Sequence, residues 1–269
     1  MTNSDLKGCC GSEPLQRLRS VAIQAAQCGG QVLLDWVGRF SVREKSRANL
    51  VTDADEASQA AIVNFLNAEY PNHGFLGEEN LHQHQDPETP LWVIDPLDGT
   101  SNYVHEFPYY AVSIALVRRG VVQVGVIYDP NRREIFSAER GGGAFLNDVP
   151  IQTSGETERE RTMALASLPV CADPEHPAVR RFLKALPRLQ TVQRTGSAAL
   201  NLASVACGRA DAFWSTSLHP WDVAAGVLLV QEAGGTVTNV AGETVDIFVP
   251  SLLAAASETL QKDLVNVLN

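Results

Sequence analysis

The sequence predicts a mixed α/β fold, because patterns typical of helices and of short strands share its 269 residues. Three observations lead to this prediction. Apolar residues recur at helical spacing in two segments before residue 71. Several β-rich runs then follow one another between residues 74 and 146, separated by short polar turns. From residue 177 onward, helical and strand-like segments alternate, as they do where helices cover a sheet.

The first part of the chain is predicted to form a tail and two helices. Residues 1–13 are polar, and we expect them to be a disordered tail. Apolar residues keep helical spacing over residues 14–37, although the Gly29-Gly30 pair weakens the prediction of one unbroken helix. A second helix is predicted to begin within Thr52–Asp55, since threonine and aspartate are good N-caps, and to end at Pro71.

A series of short strands is predicted in the middle of the chain. The apolar strand at residues 91–94 is expected to end at Asp95-Pro96, because proline lacks an N–H and restricts the backbone. Residues 111–117 and 121–128 are predicted to form a hairpin. Further strand-like runs cover residues 74–77, 134–138 and 144–146.

The C-terminal part is predicted to alternate between helices and strands. Helical patterns cover residues 177–186, 197–207 and 222–233, with a final helix from residue 258. Strand-like runs cover residues 191–194, 211–214, 237–240 and 252–256. The polar stretch at residues 150–160 is a candidate lobe boundary, but both patterns continue beyond it. We therefore predict a single domain over residues 14–269.

Composition and charge exclude several classes of protein. The chain is 45% hydrophobic and 19% charged, which is ordinary for a globular domain. Its formal charge is −10 and it has no dense Lys/Arg run, so we expect no nucleic-acid partner. We find neither a signal-peptide pattern nor an apolar run long enough for a membrane span, and expect no membrane partner. Five scattered cysteines without a CxxC pair indicate a reducing compartment, so a cytoplasmic location is predicted.

The most informative segment is WVIDPLDGT, where an apolar strand is followed by two carboxylates three residues apart. Burying such charges is costly unless a cation compensates them. The Asp95 and Asp98 carboxylates and the Leu97 carbonyl can converge on one side of the turn. They are hard oxygen ligands of the kind that Mg²⁺ prefers. The alternative is an ordinary Asp-Gly turn with no bound ion.

Other acidic residues carry the same two interpretations. Glu78-Glu79 follows a glycine at the end of a strand-like run, where it is either a solvated pair or a second source of ligands. Asp222 starts an apolar helix, so it is either an N-cap or a metal ligand. Asp53 and Asp55 have the same ambiguity at the start of the second helix.

Five motifs are spread over nearly the whole chain. They are NLVTDADEAS at 49–58, GEE at 77–79, WVIDPLDGTSNYVH at 92–105, GSAALN at 196–201 and HPWDVAAG at 219–226. Taken together, and in this order and spacing, they resemble the inositol monophosphatase family of metal-dependent, lithium-sensitive phosphatases. The resemblance implies a layered α-β-α-β-α fold, a homodimer, and hydrolysis of a small phosphate monoester.

The resemblance also implies a set of two to three Mg²⁺ ions. Glu78, Asp95 and the Leu97 carbonyl would hold the first ion. Asp95 would bridge to a second ion held with Asp98 and Asp222, and a third, weaker ion would lie near Glu78. Such ions would neutralise the clustered carboxylates and activate a water near neutral pH.

Further positions receive roles from the same resemblance. Thr100, linked to Asp55 and assisted by Glu78, would orient and deprotonate the attacking water, and Lys45 would lie near this catalytic loop. Backbone N–H groups of Gly99 and Thr100 would face the substrate phosphate. The substrate-binding residues implied by the resemblance are Asp98, Gly99, Thr100, Gly196, Ser197, Ala198, Ser215 and Asp222.

The substrate is less well determined than the reaction. Members specific for inositol have a glutamate seven residues before the aspartate of the WD motif, and here that position is Ser215. Relatives of this fold also hydrolyse fructose bisphosphate, histidinol phosphate or nucleotide 3′-phosphates. Two other interpretations stay open. One is an aspartyl-phosphate phosphatase, which normally uses Asp-x-Asp. The other is an interaction protein that keeps the fold but binds a macromolecular partner.

Overall fold

The computed structural model describes residues 13–46, 49–83, 88–169, 173–249 and 251–269. The expected tail at residues 1–13 lies outside this part of the chain except for Glu13. No helix in the described ranges is both long enough and apolar enough to cross a bilayer. The helices are α1 (Leu15–Trp36), α2 (Asp53–Glu69), α3 (Thr100–Val104), α4 (Pro177–Ala185), α5 (Ala198–Ala206), α6 (Pro220–Glu232) and α7 (Glu258–Leu268).

The described strands form three sheets, of two, eight and five strands. The hairpin is β1 (Val42–Ser46) with β2 (Asn49–Thr52). The large sheet contains β3 (Gly74–Gly77), β4 (Leu81–Gln83), β5 (Leu91–Asp98), β6 (Ala111–Arg118), β7 (Val121–Asp129), β8 (Glu134–Glu139), β9 (Gly143–Leu146) and β10 (Val149–Pro150). The small sheet contains β11 (Met163–Ala166), β12 (Thr191–Gln193), β13 (Ala212–Ser215), β14 (Thr236–Thr238) and β15 (Leu252–Ala255).

Helices and sheets stack in five layers, which confirms the predicted α-β-α-β-α fold. Helices α1 and α2 pack on one face of the large sheet, and α5 and α6 fill the space between the two sheets. Helix α7 packs on the outer face of the small sheet, next to α4. Because each sheet is covered on both faces, its central strands are apolar at almost every position. In β5, Trp92 and Ile94 face α1 and α2, whereas Leu91 and Val93 face α5 and α6.

Helix α1 is unbroken through its glycine pair, and close packing explains both glycines. A Cβ on Gly29 would lie 2.6 Å from Cδ1 of Ile62 in α2. A Cβ on Gly30 would lie 2.5 Å from Cδ1 of Tyr128 in β7. The pair therefore lets α1 approach its neighbours, and the predicted weakness of the helix at this point is wrong.

Strand β5 also differs from its prediction, because it continues through Asp95-Pro96 to Asp98. Its pairing with β6 is irregular between Asp95, opposite Ser113, and Asp98, opposite Ala111. This bulge accommodates Pro96, since proline is tolerated where the ladder is interrupted. The hairpin β1–β2 and strand β11 were not predicted, because the first is rich in charged residues and the second is short.

Candidate active site

Two parallel strands bring acidic residues to the same edge of the large sheet. Strands β3 and β5 pair in parallel, with Gly77 opposite Ile94. The next residues along the two strands are Glu78 and Asp95, so their backbones lie side by side at the carboxyl ends of the strands. Leu97 N donates a hydrogen bond to Asp95 Oδ1 at 3.0 Å, which orients this carboxylate.

A sharp turn joins β5 to α3 immediately after the second aspartate. Gly99 adopts a left-handed conformation with φ of 98°. A Cβ at this position would lie 3.1 Å from the Tyr109 carbonyl oxygen, so only glycine fits without displacing the backbone. The turn makes Gly99 the N-cap and Thr100 the first residue of α3, two residues after the end of β5.

Helix α6 brings a third carboxylate to the strand end. Carboxylate oxygens of Asp95, Asp98 and Asp222 lie within 4.8 Å of one another. Asp222 is the third residue of α6 and accepts a hydrogen bond from His219 N at 2.6 Å. His219 is the N-cap, so the prediction of Asp222 as N-cap is wrong, while its alternative position beside the other carboxylates is correct.

Burial and electrostatic repulsion both disfavour the ionised form of these carboxylates when no cation is bound. Burial raises the pKa of Asp95 well above its usual value, and the neighbouring carboxylates of Glu78, Asp98 and Asp222 raise it further. Burial followed by repulsion from Asp98 raises the pKa of Asp222 to about 8. Three hard oxygen donors at such short separations can hold a divalent metal ion.

Asp98 is also bound to the N-terminus of α5, in the layer between the sheets. Its carboxylate accepts hydrogen bonds from the Ser197 hydroxyl (2.5 Å), Ala198 N (3.2 Å) and Ala199 N (2.7 Å). Burial raises the pKa of Asp98 to about 6, although these hydrogen bonds oppose the shift. The structure therefore brings Ser197 and Ala198 into direct contact with a carboxylate of the cluster.

A second network links α3 to the start of α2. Thr100 Oγ1 lies 3.3 Å from Asp55 Oδ1 and 3.2 Å from the Leu97 carbonyl oxygen. Asp55 Oδ2 accepts hydrogen bonds from Thr52 N (2.8 Å) and Thr52 Oγ1 (2.6 Å). Thr52 is the N-cap and Asp55 the third helical residue, so neither Asp53 nor Asp55 is the cap. Burial raises the pKa of Asp55 to about 6.

Two adjoining cavities open beside these groups, and both are lined by Asp98, Ser101, Gly196 and Ser217. We call them the inner and the outer cavity. The inner cavity has a volume of about 250 Å³, and its other lining residues are Leu50, Glu78, Asp95, Leu97, Gly99, Thr100, His219, Trp221 and Asp222. The outer cavity has a volume of about 350 Å³, and its other lining residues are Asn102, Ser167, Leu168, Pro169, Arg194, Thr195, Ala198 and Leu218.

Two residues predicted for the site, Lys45 and Ser215, have different outcomes. Lys45 lies in β1, but its side chain is outside the described part of the chain. Ser215 at the end of β13 is 1% exposed and lines neither cavity. Ser217, two residues further on, lines both cavities and donates from its N–H to Ser215 Oγ at 3.5 Å.

Sequence reasoning missed several residues of the outer cavity, including Asn102, Arg194 and Ser217. Asn102 and Arg194 lie within or just before recognised motifs, so a search of the motif flanks would have found them. Asn102 Nδ2 donates to the carbonyl oxygens of Tyr109 (2.7 Å) and Thr195 (2.9 Å), which ties α3 to the segment before α5. Nothing in the local sequence distinguishes Ser217 from Ser215.

Comparison with known proteins places the chain in a family. The sequence model of the "Inositol monophosphatase family" matches residues 14–269. A protein named "Nus factor SuhB" from Xylella fastidiosa is 43% identical over 227 residues, covering 83% of this chain and 82% of that protein. "Inositol monophosphatase" from Mesembryanthemum crystallinum is 37% identical over 257 residues, covering 93% and 94%.

A solved structure agrees with this assignment. The extragenic suppressor protein suhB from Bartonella henselae superposes with a TM-score of 0.89 at 37% identity, covering 94% of this chain and 98% of that one. The match covers nearly the whole of both chains, so it is not confined to a single motif. The chain therefore belongs to the inositol monophosphatase family, a family of phosphoric monoester hydrolases.

Proposed function

We propose that the chain hydrolyses a small phosphate monoester of a polyol or sugar, inositol monophosphate included, in a reaction that requires Mg²⁺. The observation that carries this proposal is the group of three carboxylates within 4.8 Å at the wall of the inner cavity. A cluster of this kind is costly unless a cation compensates it. The two adjoining cavities leave room for a phosphorylated substrate.

The donor set fits magnesium. Glu78, Asp95, Asp98, Asp222 and the carbonyl-bearing Leu97 all line the inner cavity and offer only oxygen ligands. Glu78, Asp95 and the Leu97 carbonyl would hold one ion, and Asp95, Asp98 and Asp222 would hold a second. A third, weaker ion would lie near Glu78. When bound, the ions would neutralise the carboxylates, lower the pKa of water and stabilise the attacking and leaving oxygens.

The protein's own groups would orient the attacking water and take its proton. At neutral pH, Asp55 is mostly ionised and accepts a hydrogen bond from the Thr100 hydroxyl. The lone pairs of Thr100 Oγ1 are then free to accept a hydrogen bond from the attacking water. Glu78, on the same cavity wall, is the proposed proton acceptor. We also propose that Lys45 is a catalytic residue beside this loop. The N–H groups of Gly99 and Thr100 at the start of α3 would bind the substrate phosphate.

The test is metal-dependent phosphatase activity in variants of the cluster. We expect the chelated protein to be inactive, Mg²⁺ to restore turnover, and Asp95→Asn to lose at least about a hundredfold in kcat/KM, since even residues around metal ligands contribute 10–100-fold. Asp35→Asn is the control, because Asp35 is exposed on α1 and, within the described residues, its side chain is hydrogen-bonded to Gln31 alone. Full activity in chelator, or in Asp95→Asn, would refute the proposal.

A covalent mechanism through Asp95 makes a different prediction. Two residues separate Asp95 from Asp98, whereas aspartyl-phosphate phosphatases normally use Asp-x-Asp. We therefore propose direct attack by water. Single-turnover hydrolysis in heavy-oxygen water, followed by acid trapping, tests this: label should enter phosphate in one step, and a trapped phosphoenzyme on Asp95 would overturn the mechanism.

Substrate choice is proposed on the chemistry of the cleft. The outer cavity is lined by serine, asparagine and threonine side chains, which can bind hydroxyl groups of a polyol. Alternatives within the same fold are histidinol phosphate, fructose 1,6-bisphosphate and nucleotide 3′-phosphates. A panel of these compounds at matched concentration ranks them by kcat/KM. Of the proposed substrate-binding residues, Gly196 and Ala198 line this cavity, whereas Ser197 and Ser215 are buried and line neither cavity.

A second role as an interaction protein is favoured by one observation. The 43% identical relative from Xylella fastidiosa is named a Nus factor, a name that does not describe a phosphatase. The two roles separate in a complementation assay with Asp95→Asn: a phenotype rescued by the inactive variant would require a binding role, whereas loss of rescue would tie the phenotype to hydrolysis.

Assembly and location are also proposals. We propose a homodimer in the cytoplasm, in line with the family resemblance and with the scattered cysteines. Of these, Cys28 and Cys207 are described, and both are free thiols. Light scattering at micromolar concentration tests the dimer, and cell fractionation tests the location.

A further inference from the structure

The two cavities of the cleft differ in charge. Four carboxylate residues line the inner cavity. Among the described lining residues of the outer cavity, the charged side chains are Asp98 and Arg194. The Asp98 carboxylate is already bound by Ser197, Ala198 and Ala199. Arg194 is thus the charged group that the outer cavity offers to a ligand.

Arg194 has no ion pair or hydrogen bond through its side chain within the described residues, and its side chain is exposed. Arg209 gives the contrast, because its two terminal nitrogens contact the two carboxylate oxygens of Glu134, each at 2.6 Å. A guanidinium stays protonated at any physiological pH and carries five N–H donors in a planar fork. At Arg194 this whole set of donors is available to a ligand.

The backbone around Arg194 is anchored to the wall of the cleft. The next residue, Thr195, accepts a hydrogen bond from Asn102 Nδ2 at 2.9 Å through its carbonyl oxygen. Its hydroxyl donates to Asn201 Oδ1 at 2.5 Å. Gly196 has φ of 91°, and a Cβ there would lie 2.9 Å from Asn102 Nδ2. Arg194 therefore extends from a fixed point, which lowers the entropic cost of using it for binding.

We propose that Arg194 binds a second anionic group of the substrate, a phosphate or carboxylate remote from the phosphate that is hydrolysed. This proposal rests on the proposed function, because it takes the inner cavity as the place of the reacting phosphate. The outer cavity, at about 350 Å³, is large enough for the remote part of a small sugar or polyol. Arginine binds phosphate or carboxylate through two parallel hydrogen bonds in one plane, which lysine cannot do.

The substrate class follows from this geometry. A monophosphate with a neutral polyol leaves Arg194 solvated and gains nothing from it. A bisphosphate, or a phosphate ester that carries a carboxylate, gains a charge-assisted hydrogen bond and is bound more tightly. The chain is therefore expected to prefer doubly anionic substrates over neutral-tailed ones.

The experiment compares Arg194→Gln and Arg194→Lys with the unchanged chain on three substrates. Fructose 1,6-bisphosphate and 3-phosphoglycerate carry a second anion, and glycerol 2-phosphate does not. We expect Arg194→Gln to lose about tenfold to a hundredfold in kcat/KM, mainly through KM, on the first two and less than about twofold on the third. Arg194→Lys should lie between, since lysine keeps the charge without the fork. If Arg194→Gln lowers kcat/KM on the bisphosphate but not on phosphoglycerate, the second anionic group is a phosphate.

Arg188→Gln is the matched control, because it removes one exposed positive charge that lines neither cavity. Equal losses on all three substrates, or the same loss in Arg188→Gln, would overturn the proposal while leaving the phosphatase proposal intact. If no substrate is hydrolysed, the phosphatase proposal fails. In that case, calorimetric titration with fructose 1,6-bisphosphate and fructose 6-phosphate tests the proposal for Arg194 separately. Tighter binding of the bisphosphate that is lost in Arg194→Gln would support the proposal, and equal binding of the two compounds would overturn it.

Discussion

The inner and outer cavities meet at Asp98, Ser101, Gly196 and Ser217, yet they are built from different parts of the fold. The inner cavity is formed by the end of β5, which pairs with β6 at Asp95 and Asp98, and by the first turns of α3 and α6, of which α6 begins with a capping box. The outer cavity is formed largely by segments that follow β11, β12 and β13 in the small sheet.

This difference separates two properties of the proposed enzyme. Groups on regular elements can be held within a fraction of an ångström, which metal chemistry requires. Segments that follow strands vary more easily without loss of the fold, and they suit the choice of substrate. Changes in the inner cavity should therefore affect every substrate alike, whereas changes in the outer cavity should discriminate between substrates.

The largest expected effect comes from removing a carboxylate of the inner cavity. Asp222→Asn should reduce kcat/KM by at least about a hundredfold on every substrate tested, because one ligand of the proposed second ion is weakened. The ratio of activities between any two substrates should stay the same. A substrate-selective loss in this variant would break the division between the two cavities.

The next effect concerns the Thr100 hydroxyl. Thr100→Val should lower kcat by about a hundredfold, in the range of a positioned proton-transfer group, with little change in KM. Thr100→Ser restores the hydroxyl and should recover most of the activity. If serine were no better than valine, the role of the hydroxyl bound to Asp55 would have to be abandoned.

A smaller effect is expected where Asp98 meets α5. Ser197→Ala removes both a helix cap and a hydrogen bond to Asp98, so it should lower the unfolding free energy by about 1–2 kcal/mol. It should also weaken Mg²⁺ activation about tenfold, as removal of a ligand's partner does.

Ser257→Ala is a matched control for this variant. Ser257 caps α7 by accepting from Leu260 N and donates its hydroxyl to the Glu156 carbonyl oxygen, so its contacts parallel those of Ser197 away from both cavities. It should show a similar loss of stability with unchanged Mg²⁺ dependence. Equal Mg²⁺ effects in both variants would mean that Ser197 acts on the fold alone.

The pH dependence of stability offers the mildest test of the carboxylate cluster. The folded-state pKa values of Asp55 and Asp98 are raised to about 6, and that of Asp222 to about 8. The folded state thus binds protons more tightly than the unfolded chain, so protonation of these carboxylates stabilises the fold at low pH. This contribution to the unfolding free energy is lost as pH rises through 6 to 8.

For the metal-free protein we expect Tm to fall by several degrees between about pH 5 and pH 8.5, because each kcal/mol shifts Tm by a few degrees in a domain of this size. Excess Mg²⁺ should flatten this slope, since the cation replaces the bound protons. Asp35→Asn should retain the slope and Asp222→Asn should reduce it. A Tm that rises with pH in chelator would contradict the raised pKa values.

Local sequence determined much of this protein. Most helices and strands were predicted within a few residues, because apolar spacing and turn residues act over short distances. The proximity of Asp95 to Asp98 and the turn at Gly99 also follow from three or four consecutive residues. A single motif left Asp222 with two interpretations, a helix cap or a metal ligand. The order of the five motifs, and the family resemblance based on it, favoured a place among the clustered carboxylates.

Tertiary structure decided what depends on residues far apart in the chain. Gly29 and Gly30 support a helix because Ile62 and Tyr128 pack against them, which no local rule can anticipate. The hydrogen bond from Ser197 to Asp98 joins residues 99 positions apart. Close packing of two sheets around α5 and α6 buried Ser215 and left Ser217 and Arg194 to line the cleft. Sequence by itself therefore indicated the chemistry, and only packing determined which side chains line the cleft.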